Sequence, residues 1–131
     1  MLFSKNLFRG NVVDEVYDYL CNQIKKAEAA GINSIFIDPG IGFGKTTEDN
    51  FNLLNRLDDF RSLAYPITIG VSRKSFIGKS LNLEVDERDI PTSIMEALSI
   101  NKGARIIRTH NVVNGVMLRD LFNKTNNITV E

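Results

Sequence analysis

The sequence predicts an α/β fold, a parallel sheet of about three short strands covered by helices. Three short apolar runs carry that reading: "NSIFI" at 33–37, "PITIGV" at 66–71 and "ARIIR" at 104–108. Each is rich in β-branched residues, as strands buried on both faces are. Between them lie longer segments in which apolar residues recur at helical spacing. Strand–helix–strand alternation means parallel strands joined by crossovers, and right-handed crossovers place every strand's C-terminal end on one edge.

Asn11 is read as the cap of the first helix. Asp14 and Glu15 lie in its first turn, where carboxylates suit the positive end of the helix dipole. Val12, Val16, Leu20, Ile24 and Ala27 form its apolar stripe, and Gly31 can close it. After "NSIFI" comes a glycine-rich loop. Thr47 is expected to cap a second helix with a stripe of Phe51, Leu54 and Leu57. Pro66 opens the second strand, and a short helix, "SFIGKSL", follows it. The polar stretch "NLEVDERD" leads to a helix from about Asp89 to Lys102, with Pro91 in its first turn. Ile94, Ala97 and Leu98 are expected to line that helix, and Gly103 to end it. "ARIIR" is the third strand, and a last helix spans about Asn111 to Asn123.

The chain's 131 residues suffice for one domain with a core. Lys plus Arg and Asp plus Glu each number 16, so no global field points to nucleic acid or to a membrane surface. Cys21 stands alone, which excludes an intrachain disulfide and a zinc-ligand spacing. It fits a reducing cytosol, so a cytoplasmic location is expected. There is no apolar run of about 18 residues to span a membrane. The opening "MLFSKNLFRG" lacks the apolar stretch of a secretory signal and is read as an N-terminal loop over 1–10.

All three strand ends carry polar groups. The first ends in Asp38, the second in Ser72, Arg73, Lys74 and Ser75, and the third in Arg108, Thr109, His110 and Asn111. Loops are polar anyway, but three coincident sites on one edge favour a binding site. A carboxylate leaving an apolar strand must be paired or hydrogen-bonded. Asp38 can tie down its own loop's amides, or accept two bonds from a planar amidine-like edge. The loop after it, "GIGFGKT", meets neither the phosphate-loop spacing nor the dinucleotide-binding pattern, because Gly40, Gly42 and Gly44 alternate. Alternating glycines instead allow close approach by a flat ligand, with Phe43 as a ring face beside it. Arg73, Lys74 and Ser75 open a short helix, where an anion can be received. Arg108 and His110 alternate along extended chain, so both point the same way and suit a phosphate.

Together, "DPGIGFGKT" at 38–46, "GVSRKSFIG" at 70–78 and "RIIRTHNV" at 105–112 resemble the dihydropteroate synthase family. The resemblance covers most of the chain. It implies the C-terminal portion of a (β/α)8 barrel: the last three strands, preceded by the helix that follows the fifth. A full barrel needs roughly 250 residues. Residues 11–131 would then be a partial pterin-binding domain. The resemblance implies condensation of 6-hydroxymethyl-7,8-dihydropterin pyrophosphate with p-aminobenzoate, with Mg²⁺ helping pyrophosphate to leave. Asp38 would hold the aminopyrimidine edge of the pterin, and Lys74 would contact the pterin and flank the p-aminobenzoate site. These two are the catalytic candidates. Phe43 would pack on the p-aminobenzoate ring, Ser75 would receive its carboxylate, and Arg73 would support it. Arg108 and His110 would hold the pyrophosphate.

Two departures from the family pattern stand out. Asn111 replaces the usual Asp after the final His, which puts metal handling in question. "PTSIMEAL" at 91–98 replaces the usual Gly-Thr start of that helix, with a change in packing expected. A pterin-binding methyltransferase domain shares the barrel and the carboxylate, but "SRKSFIG" favours the synthase. A part-barrel exposes strand edges. The alternative to an incomplete synthase is therefore a non-catalytic fragment or a subunit requiring the N-terminal half, with a homodimer or an N-terminal half-barrel as the expected partner.

Overall fold

The computed structural model describes residues 11–126. The expected N-terminal loop at 1–10 lies outside them. Five helices and two strands follow in the order α1 (Val12–Ala29), α2 (Thr47–Asn55), β1 (Ile67–Ile69), α3 (Ser75–Leu81), α4 (Asp89–Asn101), β2 (Ala104–Ile107) and α5 (Val112–Asn126). A 3-10 turn over Leu57–Leu63 follows α2, and another over Val85–Glu87 precedes α4.

β1 and β2 pair in parallel, with Ile67 opposite Ala104 and Ile69 opposite Ile107. The first apolar run departs from expectation. It forms a single parallel bridge, Ile37 to Ile67, instead of a strand. Two bonds hold it: Ile37 N to Pro66 O at 2.9 Å and Thr68 N to Ile37 O at 2.7 Å. Ile37 has no second strand neighbour among the described residues, so only one side of this run is fixed. Phe36 is accordingly 62% exposed. The row order is Ile37, β1, β2, with β1 in the middle.

The core lies between this array and α1–α2. Val16, Leu53, Leu57, Phe60, Ile69 and Val71 are fully buried. Burying each such side chain contributes about 1.5–3 kcal/mol before the entropy cost of ordering it. α1 is as expected: Asn11 Oδ1 accepts from Val13 N, and Val12, Val16, Leu20 and Ile24 are buried. Val13 joins them, whereas Ala27 is only partly buried.

α2 is capped one residue earlier than expected. Thr46 Oγ1 accepts from Asp49 N, and the Asp49 carboxylate accepts from Thr46 N. This reciprocal capping box fixes the start. Its buried face is Asn50, Leu53 and Leu54. Leu57 belongs to the next 3-10 turn, and Phe51 lies at the surface, edge-on to Phe76 with centroids 5.2 Å apart.

The expected lining of α4 is also corrected. Pro91, Thr92, Glu96, Ser99 and Ile100 face inward, while Ile94 and Leu98 are more than half exposed and Ala97 is partly buried. The apolar stripe of α4 therefore points away from the described core. α5 starts at Val112, runs to Asn126 and has no buried residue. Asn111 Oδ1 accepts from Asn114 N at 3.0 Å and so holds its first turn.

Candidate functional site

The three strand ends deliver their polar groups to one edge, as parallel strands must. Asp38 follows Ile37, Gly70 to Lys74 follow β1, and Arg108 to Asn111 follow β2. Arg108 Nη2 donates to Asp38 Oδ2 at 2.6 Å, and Gly40 N donates to Asp38 Oδ1 at 2.8 Å. Asp38 thus ties its own loop and pairs across the sheet at once. An ionised carboxylate offers about four acceptor positions, so roughly two remain for a ligand. Gly70 makes room for the pair: a Cβ there would lie 2.8 Å from Arg108 Nη2.

The glycine loop is held from beneath by two side chains that sequence reading missed. Asn50, buried on α2, accepts from Gly42 N at 2.8 Å and donates to Thr46 O at 3.0 Å. Lys45 turns inward and donates to Gly40 O at 2.7 Å and Phe43 O at 3.0 Å. Burial pushes its ammonium down to about 8, against the pull of Asp38 and Asp49. Asn50 lay in a polar-looking stretch. Only the capping pattern TTED, set one residue back, would have turned it inward.

Phe43 is half exposed and faces the site. Lys74 Nζ sits 4.7 Å from its ring centroid, within cation–π range, and donates to Ile41 O. Burial lowers the Lys74 ammonium from its ordinary value, opposed by Asp38 and aided by Arg108. Gly42 has φ of +86°, and a Cβ on it would lie 2.9 Å from Lys74 Cδ. The loop's second glycine therefore answers to both backbone conformation and the passage of the lysine.

Arg73 does not reach this pocket. It has φ of +55°, unusual for a side-chain-bearing residue, and α4 clamps it there. Its guanidinium makes two bonds to Asp89, at 2.8 and 3.1 Å. Its N–H donates to Thr92 Oγ1 at 3.1 Å, and its carbonyl accepts from Arg88 Nη1 at 2.8 Å. Arg73 holds the Asp89 carboxyl below its usual range, with help from Asn111. Ser75, the first residue of α3, is exposed beside Lys74. At the start of α4, the Thr92 hydroxyl is the acceptor for Arg73 N.

Ser72 Oγ lies 2.6 Å from His110 Nδ1 and accepts from His110 N at 3.1 Å. Phe43, Gly70, Ser72, Lys74, Arg108, Thr109 and His110 together line a cavity of about 250 Å³. Arg108 and His110 do point to the same side. The site therefore offers one carboxylate, an aromatic face, and three nitrogen donors for an anion. Among the described residues no group of three or more His, Cys, Asp or Glu side chains could hold a metal ion. Asn111 is used in capping α5 and in a 3.3 Å contact to Asp89.

Glu96 on α4 was also missed. It is 1% exposed, and neither carboxylate oxygen has a hydrogen-bond partner. Burial pushes its carboxyl up; the nearby Thr109 hydroxyl pulls it back and Asp89 adds to the rise.

A parallel α/β array with polar groups gathered at its strand ends is the arrangement found in part of a (β/α)8 barrel and in open α/β sheets. The chain belongs to the pterin binding enzyme family, whose model matches residues 3–110. It is 41% identical over 105 residues to the dihydropteroate synthase of Streptococcus pyogenes, covering 77% of this chain and 40% of that protein. The dihydropteroate synthase of Xanthomonas albilineans, solved in complex with 7,8-dihydropteroate, superposes with a TM-score of 0.89 at 32% identity. That match covers 97% of this chain and 50% of the other. The same enzyme solved with 4-aminobenzoic acid gives 0.87 at 34% identity, covering 92% and 45%. The chain thus spans between two fifths and half of the length of these relatives, and its fold is the corresponding part of their barrel.

Proposed function

We propose that the chain forms the C-terminal part of a dihydropteroate synthase, supplying pterin and pyrophosphate contacts for condensation with p-aminobenzoate. The observation that carries this reading is the convergence of Asp38, Lys74, Arg108 and His110 on one strand-end edge. Asp38 has acceptor capacity for the amidine-like edge of a pterin. Phe43 offers a ring face for the arylamine, with Lys74 between the two sites. Ser75 at the start of α3 receives the carboxylate of p-aminobenzoate, and Arg73 supports that turn through Asp89. Arg108 and His110 stabilise charge on the departing pyrophosphate, so the arylamine nitrogen can attack the methylene carbon. The X. albilineans complexes, with product and with 4-aminobenzoic acid, support that ligand pair. Mg²⁺ enters this proposal as an ion carried by the pyrophosphate.

The remaining strands belong to an N-terminal half-barrel. The supporting feature is a cavity of about 470 Å³ beside β2, lined by Ile107, Val112, Val116 and Leu118, next to a strand edge unpaired among the described residues. A homodimer through α4 and α5 is the companion proposal, supported by exposed Ile90, Ile94, Met117 and Leu121 around one apolar groove. A cytoplasmic location is part of the proposal, supported by Cys21 standing as a free thiol, which fits a reducing compartment. Among the described residues no helix is long and apolar enough to cross a membrane.

Turnover of radiolabelled p-aminobenzoate tests the reading. The chain alone should stay near background. Adding the N-terminal half of the S. pyogenes relative should raise the rate well above it. Normal rates from the chain alone would refute the dependence on a second half. An assembled complex without turnover would refute the synthase assignment.

A further inference from the structure

The Ser72–His110 contact gives a role to a residue that lines the cavity but was not among the residues expected to touch a ligand. Ser72 Oγ carries one proton and two acceptor positions. One acceptor position is taken by His110 N at 3.1 Å. The 2.6 Å contact to His110 Nδ1 then has two possible senses. If Nδ1 donated, the Ser72 hydroxyl proton would need a second acceptor. Ser72 is 8% exposed, and no other bond from its Oγ exists among the described residues. Leaving a buried hydroxyl proton unpaired costs about 1–3 kcal/mol. The sense that satisfies every group has Ser72 donating to Nδ1, which leaves the ring proton on Nε2.

We propose that Ser72 is a positioning residue that holds neutral His110 in its Nε2–H tautomer, so that this nitrogen donates into the cavity beside Arg108. The backbone bond fixes the His110 peptide and the side-chain bond fixes its ring, both through one oxygen. The identity of the anion rests on the proposed synthase reading; the tautomer does not.

His110 is the chain's single histidine, so its ring nitrogens give one unambiguous pair of signals in long-range ¹⁵N–¹H correlation spectra. Spectra of the uniformly labelled full chain are recorded at about pH 8. The expected spectrum has an unprotonated-type Nδ1 and a protonated-type Nε2. Ser72→Ala should move the two shifts toward each other as the tautomers exchange, and Ser72→Thr should restore the original pattern. Inorganic pyrophosphate should bind Ser72→Ala about three- to tenfold more weakly than the parent chain, matching the loss of one oriented hydrogen bond. A proton on Nδ1 in the parent chain, or an unchanged Ser72→Ala spectrum, would overturn the proposal. If Ser72→Ala fails to fold, the parent and Ser72→Thr spectra still decide it. Failure of pyrophosphate to bind the parent chain would count against the synthase reading, while the spectrum would still judge Ser72.

Discussion

Asp38 and Arg108 stand 70 residues apart and meet through a 2.6 Å bond across the strand-end edge. Their side chains are 35% and 59% exposed. An ion pair this open contributes at most about 1 kcal/mol to stability. Its geometry serves the site more than the fold. Asp38→Asn should therefore leave the urea midpoint nearly unchanged while weakening 7,8-dihydropteroate binding on the order of 100-fold, the size of two lost charge-assisted bonds. Calorimetry showing unchanged affinity would remove Asp38 from the pocket.

Asn50→Ala should destabilise the chain by about 1–3 kcal/mol, because Gly42 N loses its buried acceptor while Thr46 O loses one of its two donors and keeps the Asn50 backbone N–H. Asn50→Asp keeps the acceptor and should recover part of the loss. Urea unfolding of the three proteins checks the order; an Asn50→Ala protein as stable as its parent would contradict the role given to this residue.

Much of the fold and the polar strand ends were legible in the sequence, and the supports beneath them were not. Asp38, Arg108 and His110 follow apolar runs directly, so topology alone brings them to one edge. Lys45 turns back onto its own loop, Asn50 reaches that loop from α2, and Asp89 reaches Arg73 from the start of α4. A one-residue slip in the cap of α2 hides Asn50 from a periodicity reading. The stripe of Ile94 and Leu98 misled because an amphipathic pattern shows that a face is apolar, not which neighbour covers it. The first strand shrank to the single bridge of Ile37 to Ile67, which the apolar run alone does not foretell.

Lys45 should titrate near 8, lowered by burial. Between about pH 8 and the ordinary lysine value near 10.4, the unfolded chain binds this proton and the folded chain does not. Stability from this group should therefore rise with pH across that window. The ¹³Cε shift of Lys45 followed from pH 6 to 11 gives the midpoint. Denaturation of Lys45→Met should lack the corresponding slope; parallel curves for both proteins would refute it.

Glu96 titrates in the opposite sense. Its raised carboxyl means that the folded chain holds the proton longer, so stability falls as pH rises from the ordinary glutamate range through the folded value. Glu96→Met removes the unpartnered oxygens and should stabilise the chain at pH 8 by about 1–3 kcal/mol, with the gain shrinking toward pH 4. Urea midpoints at both pH values check it, and a destabilised variant at pH 8 would contradict it.

Titration of 7,8-dihydropteroate into the ¹⁵N-labelled chain decides whether the strand-end edge is a pterin site. Amide shifts should change at Asp38, Gly40, Gly70, Lys74 and His110, and the α4–α5 face should stay silent. Changes confined to that face, or none at all at saturating ligand, would contradict it.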